Sequence, residues 1–181
     1  MEIGVFNGAR ACQMISTAQM FHAAGDISYY GFDLFEALTE EELKKEFSKQ
    51  PLSRDQIFEK VSRTGVAPEI HAGYSQDTLP KFVEEMKGKE PLDFIFIDGG
   101  HAIDTITSDW DNMKQLMGNS TTVVFDDYYF NDEPEMDGFG CQTLIDGLDR
   151  EVYNVEVMEP TNHFKKDWGT LNVAMAKVSL L

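Results

Sequence analysis

Two apolar runs that each close on aspartate constrain this chain more than any other feature. They are Phe94-Ile95-Phe96-Ile97-Asp98-Gly99-Gly100-His101 and Val123-Val124-Phe125-Asp126-Asp127-Tyr128. Residues 92–97, broken only by Asp93, and 121–125 lack polar alternation, as expected of parallel strands covered on both faces. Between them Ile103, Ile106, Trp110, Met113 and Leu116 recur at helical spacing. Upstream, short strands are expected at 2–6, 27–32 and 69–72. The intervening helices are expected at 9–24, around Pro51 (Leu43, Phe47, Ile57, Phe58 and Val61), and at Leu79, Phe82, Val83 and Met86, which follow the i, i+3, i+4, i+7 rule. Downstream, Cys141, Leu144, Ile145 and Leu148 mark one more helix, and 153–158 and 171–178 read as strands with no helical pattern between them, so these two should pair antiparallel. Alternation of this kind predicts an α/β fold: a mostly parallel sheet, right-handed crossovers and helices on both faces. Ligands of such folds bind beyond the carboxyl ends of the strands.

The whole chain, 1–181, has no repeat or linker and reads as a single domain. Its 32 acidic residues outnumber 15 Lys and Arg, a formal charge of −17, which argues against binding nucleic acid or an anionic membrane through bulk electrostatics. No apolar run approaches the ~20 residues that span a bilayer, and the first residues are not those of a signal peptide. A cytoplasmic protein is expected. Cys12 and Cys141 each fall in a helical apolar stripe and are expected to be reduced core residues; the Asn119-Ser120-Thr121 sequon is read as chance.

The strand ends carry the chemistry. Gly4-Val5-Phe6-Asn7-Gly8 follows the first strand. Glycines there let backbone approach a ligand at a helix N-terminus, although a plain turn explains them as well. Asp33, after the second strand, can accept hydrogen bonds from both hydroxyls of a ribose or can cap a helix. Tyr74 and Ser75, after the third, can flank an adenine ring or form an ordinary turn. Asp98, Asp126 and Asp127 would crowd together at adjacent strand ends, and carboxylates so placed need a cation. Hard oxygen ligands suit Mg²⁺ or Mn²⁺. Asp126 and Asp127 point to opposite faces of a continuing strand, so both reach one ion only if the strand ends there, before the turn-rich Asn131-Asp132-Glu133-Pro134. His101, three residues past Asp98, caps a helix or takes a proton from a hydroxyl. His163 lies in an expected loop, 160–168, able to cover a substrate.

With these residues in place the chain resembles the class I S-adenosylmethionine-dependent methyltransferases, and among them the metal-dependent sugar O-methyltransferases of the macrocin and mycinamicin type. The resemblance is carried by Glu2-Ile3-Gly4-Val5-Phe6-Asn7-Gly8, Tyr30-Gly31-Phe32-Asp33 and the two runs quoted first. It implies a Rossmann-like three-layer sandwich whose seven-stranded sheet is mostly parallel with the last strand antiparallel. It places Glu2, Gly4 and Gly8 at the methionine end of S-adenosylmethionine, with Asp98 beside them, and Asp33 on the ribose. It gives Mg²⁺ (or Mn²⁺) to Asp98, Asp126 and Asp127, and the general base to His101. The acceptor would be a small hydroxylated molecule, a sugar or another vicinal diol, and a homo-oligomer is compatible with it. Such enzymes usually carry helices upstream of the first strand, which starts here at the initiating Met. Three other readings stay open on the residues: a non-catalytic nucleotide-binding relative, a nicotinamide oxidoreductase (disfavoured by the missing third glycine) and a metal hydrolase (which leaves Asp33 unexplained).

Overall fold

A computed structural model describes residues 1–45, 49–130, 136–160 and 162–181. Phe47 and the Asn131–Pro134 turn lie outside the described residues. In chain order the elements are β1 (Glu2–Ile3), α1 (Ala9–Ala18), β2 (Tyr29–Asp33), α2 (Glu40–Lys45), α3 (Arg54–Ser62), β3 (Pro68–Ala72), α4 (Ser75–Met86), β4 (Phe94–Ile97), α5 (Ile103–Met113), β5 (Thr122–Tyr129), α6 (Gln142–Asp146), β6 (Tyr153–Val157), β7 (Asn162–Lys166) and β8 (Gly169–Leu180).

The main path of the sheet runs β3-β2-β1-β4-β5-β8-β6, with β7 paired to β8 off that path. β1 to β5 pair in parallel, and β8 runs antiparallel to both β5 and β6. The expected seven-stranded order with one reversed late strand is therefore present. Alternation along each strand splits the core into two layers. Ile3, Phe32, Ile95, Ile97, Val123 and Phe125 join Leu79, Phe82 and Val83 of α4, Ile106, Trp110 and Met113 of α5, and Ile145 of α6 in one cluster. Val5, Tyr29 and Ile70 join Ala11 and Ile15 of α1 and Ile57 and Val61 of α3 in another. The result is a three-layer sandwich.

Four local differences bear on the site. Pairing in β1 stops at Ile3 because Gly4 turns the backbone into the left-handed region at φ 87°. α1 ends at Ala18 rather than 24; Met20, Phe21 and His22 beyond it are exposed and bury no helical face. β5 does not end at the aspartates but continues to Tyr129, with a bulge between Phe125 and Tyr128. Residues 162–166, expected within a loop, form β7. Of the two cysteines, both free thiols, Cys141 is buried and Cys12 only partly so.

Candidate active site

The first loop and the end of β4 meet at Gly4. A Cβ built there would stand 1.8 Å from the carbonyl oxygen of Asp98, so only glycine fits. The Gly4 amide donates to the Phe32 carbonyl at 2.8 Å and the Asp98 amide to the Ile3 carbonyl at 2.9 Å, extending the sheet ladder into the loops. The loop then turns through Phe6 (φ 49°) and Gly8 (φ 69°), which caps α1. Asp33 fastens this turn: one carboxylate oxygen accepts from the Phe6 amide at 2.8 Å and the other from the Leu34 amide at 2.7 Å. Lys60 of α3 donates to the Asn7 carbonyl at 2.7 Å, and α3 itself starts from a Ser53–Gln56 capping box.

The acidic group is built by the bulge. Asp127 adopts φ 60°, an uncommon left-handed conformation for a residue other than glycine. This extra residue re-aims the chain so that Asp126 and Asp127 both line the cleft although the strand goes on. Asp98, His101 and Asp127 each place a ligand atom within 4.8 Å of the others, and His101 Nε2 lies 3.0 Å from Asp127 Oδ2. Asp126 lies apart from that group: its Oδ1 accepts the Asp127 amide at 2.9 Å, and its Oδ2 is 3.7 Å from Arg10. The Arg10 guanidinium also sits 4.7 Å above the Phe96 ring.

Burial, followed by the charges of Asp126 and Asp127, pushes the Asp98 carboxyl up to about 8. Burial raises Asp127 also, opposed first by His101 and less by a hydrogen bond from Tyr129. Carboxylates driven toward their neutral form by burial and then by one another are a donor set that a divalent cation relieves. The residues present therefore fit Mg²⁺ or Mn²⁺, with imidazole as an acceptable neighbour of the oxygens.

The segment 138–141 clamps both halves. Gly140 donates to the His101 carbonyl at 2.8 Å, and Cys141 to the Asp127 carbonyl at 3.0 Å. Ile103 returns a bond to the Gly138 carbonyl at 2.8 Å. Gly140 has φ 79°, and a Cβ there would lie 2.6 Å from the Asp127 carbonyl oxygen. Sequence reasoning missed this clamp and Arg10. The two closely spaced glycines Gly138 and Gly140, and a lone cation just past the Gly8 turn, were the available signals.

One cleft of about 720 Å³ lies over the strand ends, within the size range of nucleotide and cofactor pockets. It is lined by Gly4, Asp33, Tyr74, Ser75, Asp98, His101, Asp126 and Asp127. Glu2 and Gly8 do not line it. The Glu2 side chain is fully buried beneath, where it accepts the Tyr29 hydroxyl; its other carboxylate oxygen has no hydrogen-bond partner among the described residues, and burial raises its pKa to about 7. Gly8 instead packs toward Ile57.

A parallel sheet closed by an antiparallel β8, with its cleft over a glycine turn and an acidic β2 end, has the architecture of a class I methyltransferase. The sequence matches the family described as "Methyltransferase domain" over residues 1–128, and the chain belongs to that family of S-adenosylmethionine-dependent methyltransferases. No curated protein matches it. Among solved structures, it is similar to the O-methyltransferase TomG of Streptomyces achromogenes, involved in tomaymycin synthesis and bound to S-adenosylmethionine. That likeness has 17% identity, covers 98% of this chain and 71% of that one, and gives a TM-score of 0.63. An O-methyltransferase from Bacillus cereus, in complex with S-adenosylhomocysteine, shares 17% identity over 98% of this chain and 72% of its own, TM-score 0.60. An rRNA methylase from Streptococcus thermophilus shares 13% identity over 99% and 86%, TM-score 0.59. At these identities the likenesses speak for the fold. Among the described residues no helix is long and apolar enough to cross a membrane.

Proposed function

We propose that this chain is an O-methyltransferase that acts on a small hydroxylated acceptor, a sugar or another vicinal diol, with the aid of Mg²⁺ or Mn²⁺. The observation that carries this reading is the convergence of Asp98, His101 and Asp127 in the cleft that Gly4 and Asp33 also line. When bound, S-adenosylmethionine supplies a methyl group that passes from sulfonium sulfur to acceptor oxygen, and the cation supplies positive charge that acidifies a nearby hydroxyl.

The chain's own residues do the rest. Asp33, held rigid by the Phe6 and Leu34 amides, offers its remaining lone pairs to ribose hydroxyls. Gly4 admits the methionine end against bare backbone, and Tyr74 and Ser75 border the base. Asp98 and Asp127 would hold the cation, with Asp126, 3.7 Å from Arg10, beside them. His101 takes the acceptor's hydroxyl proton on its ring nitrogen, while Asp127, at 3.0 Å, orients the ring and stabilises the imidazolium. The grouping of His101 with Asp98 and Asp127 favours a second reading, in which the imidazole is itself a ligand.

His101→Ala separates the two. As a base, His101 contributes on the order of 10²- to 10⁴-fold to turnover, and its loss leaves affinity for S-adenosylhomocysteine and Mn²⁺ unchanged. As a ligand, its loss weakens Mn²⁺ binding measured by electron paramagnetic resonance. The proposal as a whole is tested by methyl transfer to a panel of sugars and catechols with Mg²⁺, with and without EDTA. Binding of S-adenosylhomocysteine with no methylated product would mark a non-catalytic relative, and full activity in EDTA would remove the metal.

A further inference from the structure

The lining of the cleft is of two unlike kinds. Asp33, Asp98, Asp126 and Asp127 make one part of it acidic; β7 and the start of β8 contribute Phe164, Lys166, Leu171 and Val173. β8 begins at Gly169; among the described residues its pairing with β5 reaches Val173, opposite Tyr129, and the Phe130 amide donates to the Asn172 carbonyl at 3.1 Å. Residues 169–171 continue the strand by ~10 Å at the usual rise per residue. They carry β7 with them through the pairs Phe164–Leu171 and Lys166–Gly169. β7 is exposed along its whole length, so neither Phe164 nor Lys166 serves the core.

Among the described residues, the Lys and Arg side chains that line the cleft are Arg10, Lys49 and Lys166. Arg10 faces Asp126, and Lys49 lies 6.0 Å over the Phe6 ring. Lys166 has neither an ion pair nor a ring partner among the described residues. A chain of charge −17 repels anions as a whole, so an acidic acceptor would need such a local cation.

We propose that the β7–β8 hairpin selects acceptors bearing a carboxylate, with Lys166 pairing the acid group and Phe164 covering the apolar body while the hydroxyls face Asp98, His101 and Asp127. A single ammonium, without an arginine fork or a cradle of amides, suits one negative charge better than a phosphate dianion. The inference rests on the O-methyl transfer proposed above.

The test compares protocatechuate with its amide, which share ring and hydroxyls and differ in charge. Affinity is measured by calorimetry on protein loaded with S-adenosylhomocysteine and Mg²⁺, and transfer is measured separately with S-adenosylmethionine. The acid should bind on the order of tenfold more tightly than the amide. Lys166→Ala should abolish that preference, Lys166→Arg should retain most of it, and Phe164→Ala should weaken both ligands alike. S-adenosylhomocysteine affinity should not move in any of the three. Equal affinity for acid and amide, binding of neither, or a preference that survives Lys166→Ala would overturn the assignment. Acid preference without methyl transfer would keep Lys166 and remove O-methylation; transfer to both at equal rates would do the reverse.

Discussion

At the scale of single residues, burial decides more than sequence position. Glu2 opens the first of the stretches that carry the family resemblance, yet its side chain is sealed under the sheet against Tyr29. Burial, the largest cause, raises its pKa from 4.5 to about 7. Below the lower value both states hold the proton; between the two values the unfolded chain has lost it and the folded chain keeps it. Glu2 thus makes stability fall as pH rises from about 4.5 to 7. Glu2→Gln keeps an acceptor for the Tyr29 hydroxyl and removes that slope. The variant should exceed the parent at pH 8 by on the order of a few kcal/mol, read from urea unfolding at several pH values; identical pH slopes would show that Glu2 ionises where it lies. Asp33, Asp98 and His101 could be assigned to the cleft from the sequence because each lies at, or within a few residues of, the carboxyl end of a strand. Arg10 could not, since nothing in a lone cation after a glycine turn tells which acidic group it will meet.

Elements were legible to the extent that they bury a face. The strands at β4 and β5 announce themselves as apolar runs, and α4 and α5 as stripes. β7, Asn-His-Phe-Lys-Lys, carries no such pattern because all five residues are exposed; it exists through pairing to β8, which no local reading can see. The bulge in β5 was invisible for another reason: it requires a left-handed aspartate, Asp127, where sequence favours plain extension. Its shape is kept by the 138–141 clamp, which gives a prediction at this scale. Gly140→Ala, with its Cβ 2.6 Å from the Asp127 carbonyl, should cost ~1–3 kcal/mol of stability and weaken Mn²⁺ binding. Gly138→Ala has the same φ of 79° but an unobstructed Cβ, so it should cost only ~1 kcal/mol and leave the cation untouched. Equal effects of the two on Mn²⁺ would show that the clamp does not shape the acidic group.

At the scale of the molecule, a charge of −17 means that any divalent cation will associate loosely with the surface. A built site differs by being selective and by stabilising the fold through mass action. Millimolar Mg²⁺ should therefore raise the melting temperature of the parent protein more than NaCl of equal ionic strength, and Asp98→Asn should erase the difference. An undiminished Mg²⁺ effect in that variant would assign the stabilisation to surface screening alone.

The contact between Gly4 and the Asp98 carbonyl joins these scales. With no room for even one methyl group between them, the turn after β1 cannot move toward the turn after β4, and the Gly4 and Asp98 amides tie both turns to the sheet through Phe32 and Ile3. A side chain at position 4 would have to push the Asp98 backbone aside, so a change in the glycine turn reaches the acidic group without touching any of its carboxylates.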